Sequence, residues 1–90
     1  GGVCVNGGTF VMTGGTIGEN GLSNVATYGG GVAVINGGSF TVSGNSVIAY
    51  NGKQGTTIDG GGIYSHGTGT KITIDNVTVS NNTAGHGAGI

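Results

Sequence analysis

Four glycine tracts recur along this chain, each leading into β-branched residues, and their spacing restricts the fold more than any other feature. Gly29-Gly30-Gly31 opens onto Val32-Ala33-Val34, Gly1-Gly2 onto Val3-Cys4-Val5, Gly60-Gly61-Gly62 onto Ile63-Tyr64, and Gly87-Ala88-Gly89 onto Ile90. Val3 and Val32 are 29 residues apart, Val32 and Ile63 are 31, and Ile63 and Ile90 are 27. Other residues keep the same register. Phe10 and Phe40 are 30 apart, Phe40 and Ile72 are 32, and Ile17, Ile48 and Val79 follow at intervals of 31. A repeat of this length signals a solenoid or array, in which each repeat solves the same packing problem as its neighbours.

Within a repeat, three short apolar/polar alternating segments appear in fixed order, separated by Gly and Asn. The first coil carries Val3-Cys4-Val5, Thr9-Phe10-Val11-Met12-Thr13 and Thr16-Ile17. The second carries Val32-Ala33-Val34, Ser39-Phe40-Thr41-Val42-Ser43 and Val47-Ile48-Ala49. The third carries Ile63-Tyr64-Ser65, Lys71-Ile72-Thr73-Ile74-Asp75 and Val77-Thr78-Val79. Period-two patterning between residues that tolerate positive φ predicts strands. No window has a helical period, and frequent Gly penalises helix by about 1 kcal/mol per residue. A hairpin meander does not account for three segments recurring in one order. The expected fold is therefore all-β, a right-handed parallel β-helix (β-solenoid). It has about three rungs of 27–31 residues, spanning 1–28, 29–59 and 60–86, with a further rung beginning at 87–90 and with uncapped ends.

Alternation assigns the core. Val3, Val5, Val32, Val34 and Ile63 face inward from the first segment of each rung; Phe10, Met12, Phe40, Val42, Ile72 and Ile74 from the second; Ile17, Ile48, Val77 and Val79 from the third. Asn20, Asn51 and Asn82 are 31 apart and follow the third segment, which predicts a structural ladder of stacked amides at one corner.

Composition narrows function mainly by exclusion. The chain has 90 residues, 24 of them Gly and none Pro, so it is not collagen, whose repeat has period three and abundant Pro. Its net charge of −1, with Lys53 and Lys71 the only basic side chains, disfavours nucleic acid as a partner. No apolar run reaches the roughly 18–20 residues that span a bilayer, so this segment is not expected to insert. The single cysteine, Cys4, has no internal partner and should point outward beside Val3 and Val5.

Chemistry-bearing residues are few. Glu19, Asp59 and Asp75 fall in different columns of the rung, whereas a glycosidase needs two carboxyls about 5–9.5 Å apart. His86 shares a column with Tyr28 and Asp59, so adjacent rungs would bring Asp59 and His86 within reach of each other, at what is expected to be a surface turn. One His and one Asp, with His66 in another column, are too few for a metal centre. Asp59-Gly60-Gly61-Gly62 lacks the nonapeptide period of calcium-binding repeats. The glycine tracts lack the helix and Lys-Ser/Thr of a phosphate loop. No catalytic, cofactor or metal residue is assigned, and no cofactor is expected. Thr9, Thr13, Thr16, Ser39, Thr41, Ser43, Thr73 and Thr78 place hydroxyls outward, but Val11, Lys71 and Asp75 break the rows that an ice-binding face would need.

The glycine tracts at 29–32, 60–63 and 87–90 resemble the Gly-Gly-Ala-Ile motif of polymorphic outer-membrane-protein repeats. That motif is paired with Phe-x-x-Asn, here Ile17-x-x-Asn20, Ile48-x-x-Asn51 and Val79-x-x-Asn82, with an aliphatic residue in place of the aromatic. More broadly, the whole chain resembles Gly/Thr/Asn-rich right-handed β-helix repeats of bacterial surface and autotransporter passenger proteins. The resemblance implies a secreted or cell-surface protein acting as adhesin or stalk, of bacterial origin, with carbohydrate or a host surface as candidate partners. The expected function is a structural, adhesive and non-enzymatic module of a larger surface protein. The alternatives are a filament subunit stacking end to end on identical chains, a non-catalytic part of a carbohydrate-active β-helix enzyme, and an ice-binding protein.

Overall fold

The computed structural model describes residues 1–90 and contains strands, turns and no helix. Nine short strands follow in order: β1 (Val3–Asn6), β2 (Thr9–Met12), β3 (Thr16–Ile17), β4 (Val32–Ile35), β5 (Ser39–Val42), β6 (Val47–Ala49), β7 (Ile63–His66), β8 (Lys71–Ile74) and β9 (Thr78–Ser80). They form three parallel three-stranded sheets, β1-β4-β7, β2-β5-β8 and β3-β6-β9. Every strand thus pairs with the third strand before or after it in sequence, and consecutive strands belong to different sheets. The result is a solenoid-like stack of three turns.

The register is the one the sequence spacing implies. Val3 pairs with Val32 and Val32 with Ile63; Phe10 with Phe40 and Phe40 with Ile72; Ile17 with Ile48 and Ile48 with Val79. Residues in one column therefore share a face, and the Phe10 and Phe40 rings meet with centroids 5.7 Å apart. Only 16 of the 46 backbone hydrogen bonds lie within the strands, so the ladder also runs through the corners. The amides of Gly29, Gly30 and Gly31 donate to the carbonyls of Asp59, Gly60 and Gly61, and those of Gly60, Gly61 and Gly62 donate to His86, Gly87 and Ala88. The glycine tracts are paired backbone, with carbonyls and amides satisfied from rung to rung.

The core is centred on the middle rung. Val5, Val32, Val34, Phe40, Val42, Ile48 and Ile63 form the buried cluster, with Val3, Met12, Ile17, Ile72, Val77 and Val79 half-buried against it. Two expected core residues are corrected. Phe10 is 37 % exposed and Ile74 is 39 % exposed. Both face the inner side of the coil in columns where Phe40 and Val42 are fully buried, but each stands in an outer rung with a neighbouring rung on one side only.

The corners explain how rungs of unequal length keep register. In the first rung, Glu19 and Leu22 form an antiparallel bridge, closed by the Leu22 amide donating to the Glu19 carbonyl at 2.8 Å. This small excursion stands between β3 and Asn24. In the second rung the extra residues come after the corner, where the amides of Thr56 and Thr57 both donate to the Lys53 carbonyl. Outside these excursions the tails realign: the Gly52 amide donates to Asn24, Thr83 to Asn51, Ile58 to Thr27 and His86 to Ile58.

Candidate functional site

Three features could carry function: the amide ladders at the corners, the acidic and histidine side chains, and the outer face around Tyr64.

The predicted ladder exists with one member changed. Asn24 Nδ2 donates to Asn51 Oδ1 at 3.0 Å, and Asn51 Nδ2 donates to Asn82 Oδ1 at 3.1 Å. Asn51 Nδ2 also reaches the carbonyls of Ile17 at 2.9 Å and Ala49 at 3.2 Å, while the Asn51 amide donates to Asn82 Oδ1 at 2.9 Å. Asn82 Nδ2 repeats the pattern on the Ile48 carbonyl at 3.0 Å. Asn51 is fully buried, which its amide tolerates only because its polar atoms are bonded. Asn20 is not part of this ladder. It sits exposed in the Glu19–Leu22 excursion, and the chain returns to the corner at Asn24.

Two further ladders mark the other corners. Asn36 Nδ2 donates to Asn6 Oδ1, and Asn76 Nδ2 donates to Asn45 Oδ1, both at 2.9 Å. Asn36, Asn45 and Asn76 have φ of 54°, 62° and 58°, the left-handed region that Asn occupies at lower cost than other non-glycine residues. The signal was present in the sequence, because Asn6 and Asn36 are 30 apart and Asn45 and Asn76 are 31 apart. No buried side-chain nitrogen or oxygen lacks a hydrogen-bond partner, so the buried Asn51 amide is fully engaged within the fold.

The titratable groups are dispersed. Glu19 lies in the first-rung excursion, Asp75 follows β8, and Asp59 precedes the third glycine tract. Asp59 pairs with His86: Nδ1 lies 3.1 Å from Oδ1, and parallel bridges put Tyr28, Asp59 and His86 in one column. An aspartate holding a histidine nitrogen is two parts of a nucleophilic relay. Ser65 lines the same cleft as Asp59 and His86 but makes no hydrogen bond to either, so the relay has no third member in place. No group of three or more His, Cys, Asp or Glu side chains is close enough to hold a metal ion. Cys4 is an exposed free thiol in an outward column with Ala33 and Tyr64.

The outer face of β7 is different from its counterparts in the other rungs. Tyr64 and His66 project from it two residues apart, with rings near-parallel and centroids 6.2 Å apart. The Tyr28 ring packs on Tyr64 at 5.1 Å. A shallow cleft lined by Asp59, Gly60, Ile63, Tyr64, Ser65, His86, Gly87 and Ile90 lies beside Tyr64 at the edge of the third rung. Column spacing does not find the Tyr28–Tyr64 contact, since the two residues occupy different columns.

No protein-family model, curated protein or solved structure matches the chain.

Proposed function

We propose that this chain is a structural and adhesive module of an extracellular or cell-surface protein: a right-handed β-solenoid segment whose work is rigid spacing and surface contact, without catalysis. The observation that carries this reading is the use of nearly every buried group for stacking. The central columns are closed by Val32, Val34, Phe40, Val42 and Ile48, all fully buried, and the corners are tied by three amide ladders. Such a stack is stiff along its axis, which suits a spacer. The dispersed carboxylates favour a non-enzymatic role. The right-handed sense follows from the general preference of parallel crossovers, right-handed in about 98 % of cases.

An antibody against the chain, applied to intact and to permeabilised source cells, tests this reading. Labelling of intact cells is expected. Labelling only after permeabilisation contradicts it.

A second reading, a filament subunit, draws on Phe10 and Ile74. These leave apolar surface in columns that already stack from rung to rung. Partly exposed stacking columns and unpaired strand edges favour addition of a further rung from an identical chain. Sedimentation velocity across a concentration series decides it: growth of long species supports a filament, and a constant monomer coefficient removes it.

A further inference from the structure

We propose that the outer face formed by Tyr28, Tyr64 and His66, with Asp59 and His86 beside it, is a binding platform for a neutral sugar. The proposal rests on the adhesive reading above and names what the module grips.

The aromatic side chains stand where stacking does not require them. Tyr64 lies between positions that pair with the buried Val32 and Val34, so it points outward, and His66 shares its face. The same column holds Cys4 and Ala33 in the other rungs. Core filling therefore asks for no aromatic here, yet three rings are assembled from two separate segments. Their centroids are 5.1 Å (Tyr28–Tyr64) and 6.2 Å (Tyr64–His66) apart, forming one continuous strip. Tyr28 remains 47 % exposed. A clustered exposed aromatic surface on a chain this polar marks a contact site, and tyrosine combines an apolar ring with a hydroxyl that stays wet.

The polar groups beside the strip suit hydroxyls. Asp59 Oδ1 is engaged with His86 Nδ1, leaving Asp59 Oδ2 and His86 Nε2 with no hydrogen bond within the chain. A carboxylate oxygen that accepts and an imidazole nitrogen, placed next to an apolar strip, match a pyranose: C–H groups on one face, hydroxyls around the rim. The cleft that Asp59, Tyr64 and His86 share with Ile63, Ser65 and Ile90, at the edge of the third rung, has a volume of about 340 Å³, at the small end of ligand pockets.

Two other ligand classes fit less well. A quaternary ammonium needs several ring faces enclosing it, and of the three rings only Tyr64 lines the cleft. An acidic sugar needs a cation, and neither lysine is on this face. Lys71 belongs to β8, in another sheet, and Lys53 to the second-rung excursion.

The test is a titration of the isotope-labelled 90-residue chain with three hexasaccharides, followed by amide chemical shifts. The probes are a β-1,4-glucan, a β-1,4-linked N-acetylglucosamine oligomer and an anionic polygalacturonate. The expected result is saturable shifts at Tyr28, Asp59, Gly60, Tyr64 and His66 with at least one neutral probe and none with the anionic one. The double variant Tyr28→Ala/Tyr64→Ala should weaken binding by about tenfold or more, with amide shifts elsewhere unchanged as the control for folding. Should the double variant fail to fold, Asp59→Asn is used instead and should weaken binding several-fold. The proposal is overturned by no shifts up to about 10 mM of either neutral probe, tenfold above a Kd of about 1 mM. Shifts centred elsewhere, equal binding of the anionic probe, or unchanged affinity in the variant used overturn it too. A blank titration leaves the surface-labelling result standing, and intracellular labelling leaves a positive titration standing, so the two failures are distinct.

Discussion

Gly31 lies against the side chain of Asn51: a Cβ on Gly31 falls 2.9 Å from Asn51 Nδ2 and 2.6 Å from the Gly62 carbonyl oxygen. The relationship repeats one rung on, where a Cβ on Gly62 falls 2.8 Å from Asn82 Nδ2. The glycine tracts and the amide ladder, far apart in each repeat, are one device in space. The ladder turns each corner inside the coil, and the tract passes close over it because it has no side chain.

The Gly31–Asn51 contact predicts a contrast between two glycines. Gly31→Ala forces backbone and ladder apart and should cost about 1–3 kcal/mol, the usual range for overpacking. Gly8 has nothing within 4 Å of its Cβ position and a negative-φ backbone. Gly8→Ala should be neutral or should stabilise by up to about 1 kcal/mol through the unfolded state. Denaturant titration of the two variants measures both.

Removing the central ladder residue should cost more. Asn51→Ala removes the side-chain partner of Asn24 Nδ2 and of the Ile17 carbonyl in a part-buried setting, while Asn82 Oδ1 keeps only the backbone amide of residue 51. At about 1–3 kcal/mol for each unsatisfied group, a loss of at least about 2 kcal/mol is expected. Asn20→Ala, at an exposed position outside the ladder, should change stability by less than about 0.5 kcal/mol. Equal effects at the two positions, read from urea midpoints, contradict the corner assignment.

These positions also show what the sequence reveals and what it conceals. The period is legible because stacked columns repeat their solution: Ile17, Ile48 and Val79 hold one place in the core, as do Phe10 and Phe40. Asn20 misleads because two excursions fall on opposite sides of the corner. The Glu19–Leu22 excursion precedes Asn24, whereas the Lys53–Thr57 turn follows Asn51, so a spacing of 31 selects the wrong residue in the first rung. Alternation assigned Phe10 and Ile74 to the inner face, but burial depends on a rung above and a rung below, which periodicity does not count. The Tyr28–Tyr64 contact joins different columns, so no repeat spacing encodes it.

Phe40 and Phe10 share a column and differ in cover. Phe40 is fully buried and Phe10 is 37 % exposed. Phe40→Ala should lose about 3–5 kcal/mol, as for a buried aromatic truncation. Phe10→Ala should lose markedly less, because part of its surface is already hydrated. Thermal unfolding of both variants gives the ordering.

Tyr50 carries local strain. Its φ is 60°, a conformation costly for a bulky residue, and the matching corner residue of the next rung is Asn81 at φ 52°. Tyr50→Asn should therefore stabilise the chain by roughly 1 kcal/mol. A lower urea midpoint for this variant would show that the tyrosine ring makes contacts worth more than the backbone strain.

The central claim is that these segments pair in parallel across whole repeats. A nuclear Overhauser spectrum of the isotope-labelled chain tests it most directly. The expected cross-peaks join the Phe10 and Phe40 rings, whose centroids are 5.7 Å apart, and the methyls of Ile17 with Ile48 and of Ile48 with Val79, which are register partners. Their absence, together with strong α-proton contacts between β1 and β2 or between β4 and β5, would mean sequential antiparallel hairpins and would contradict the coil.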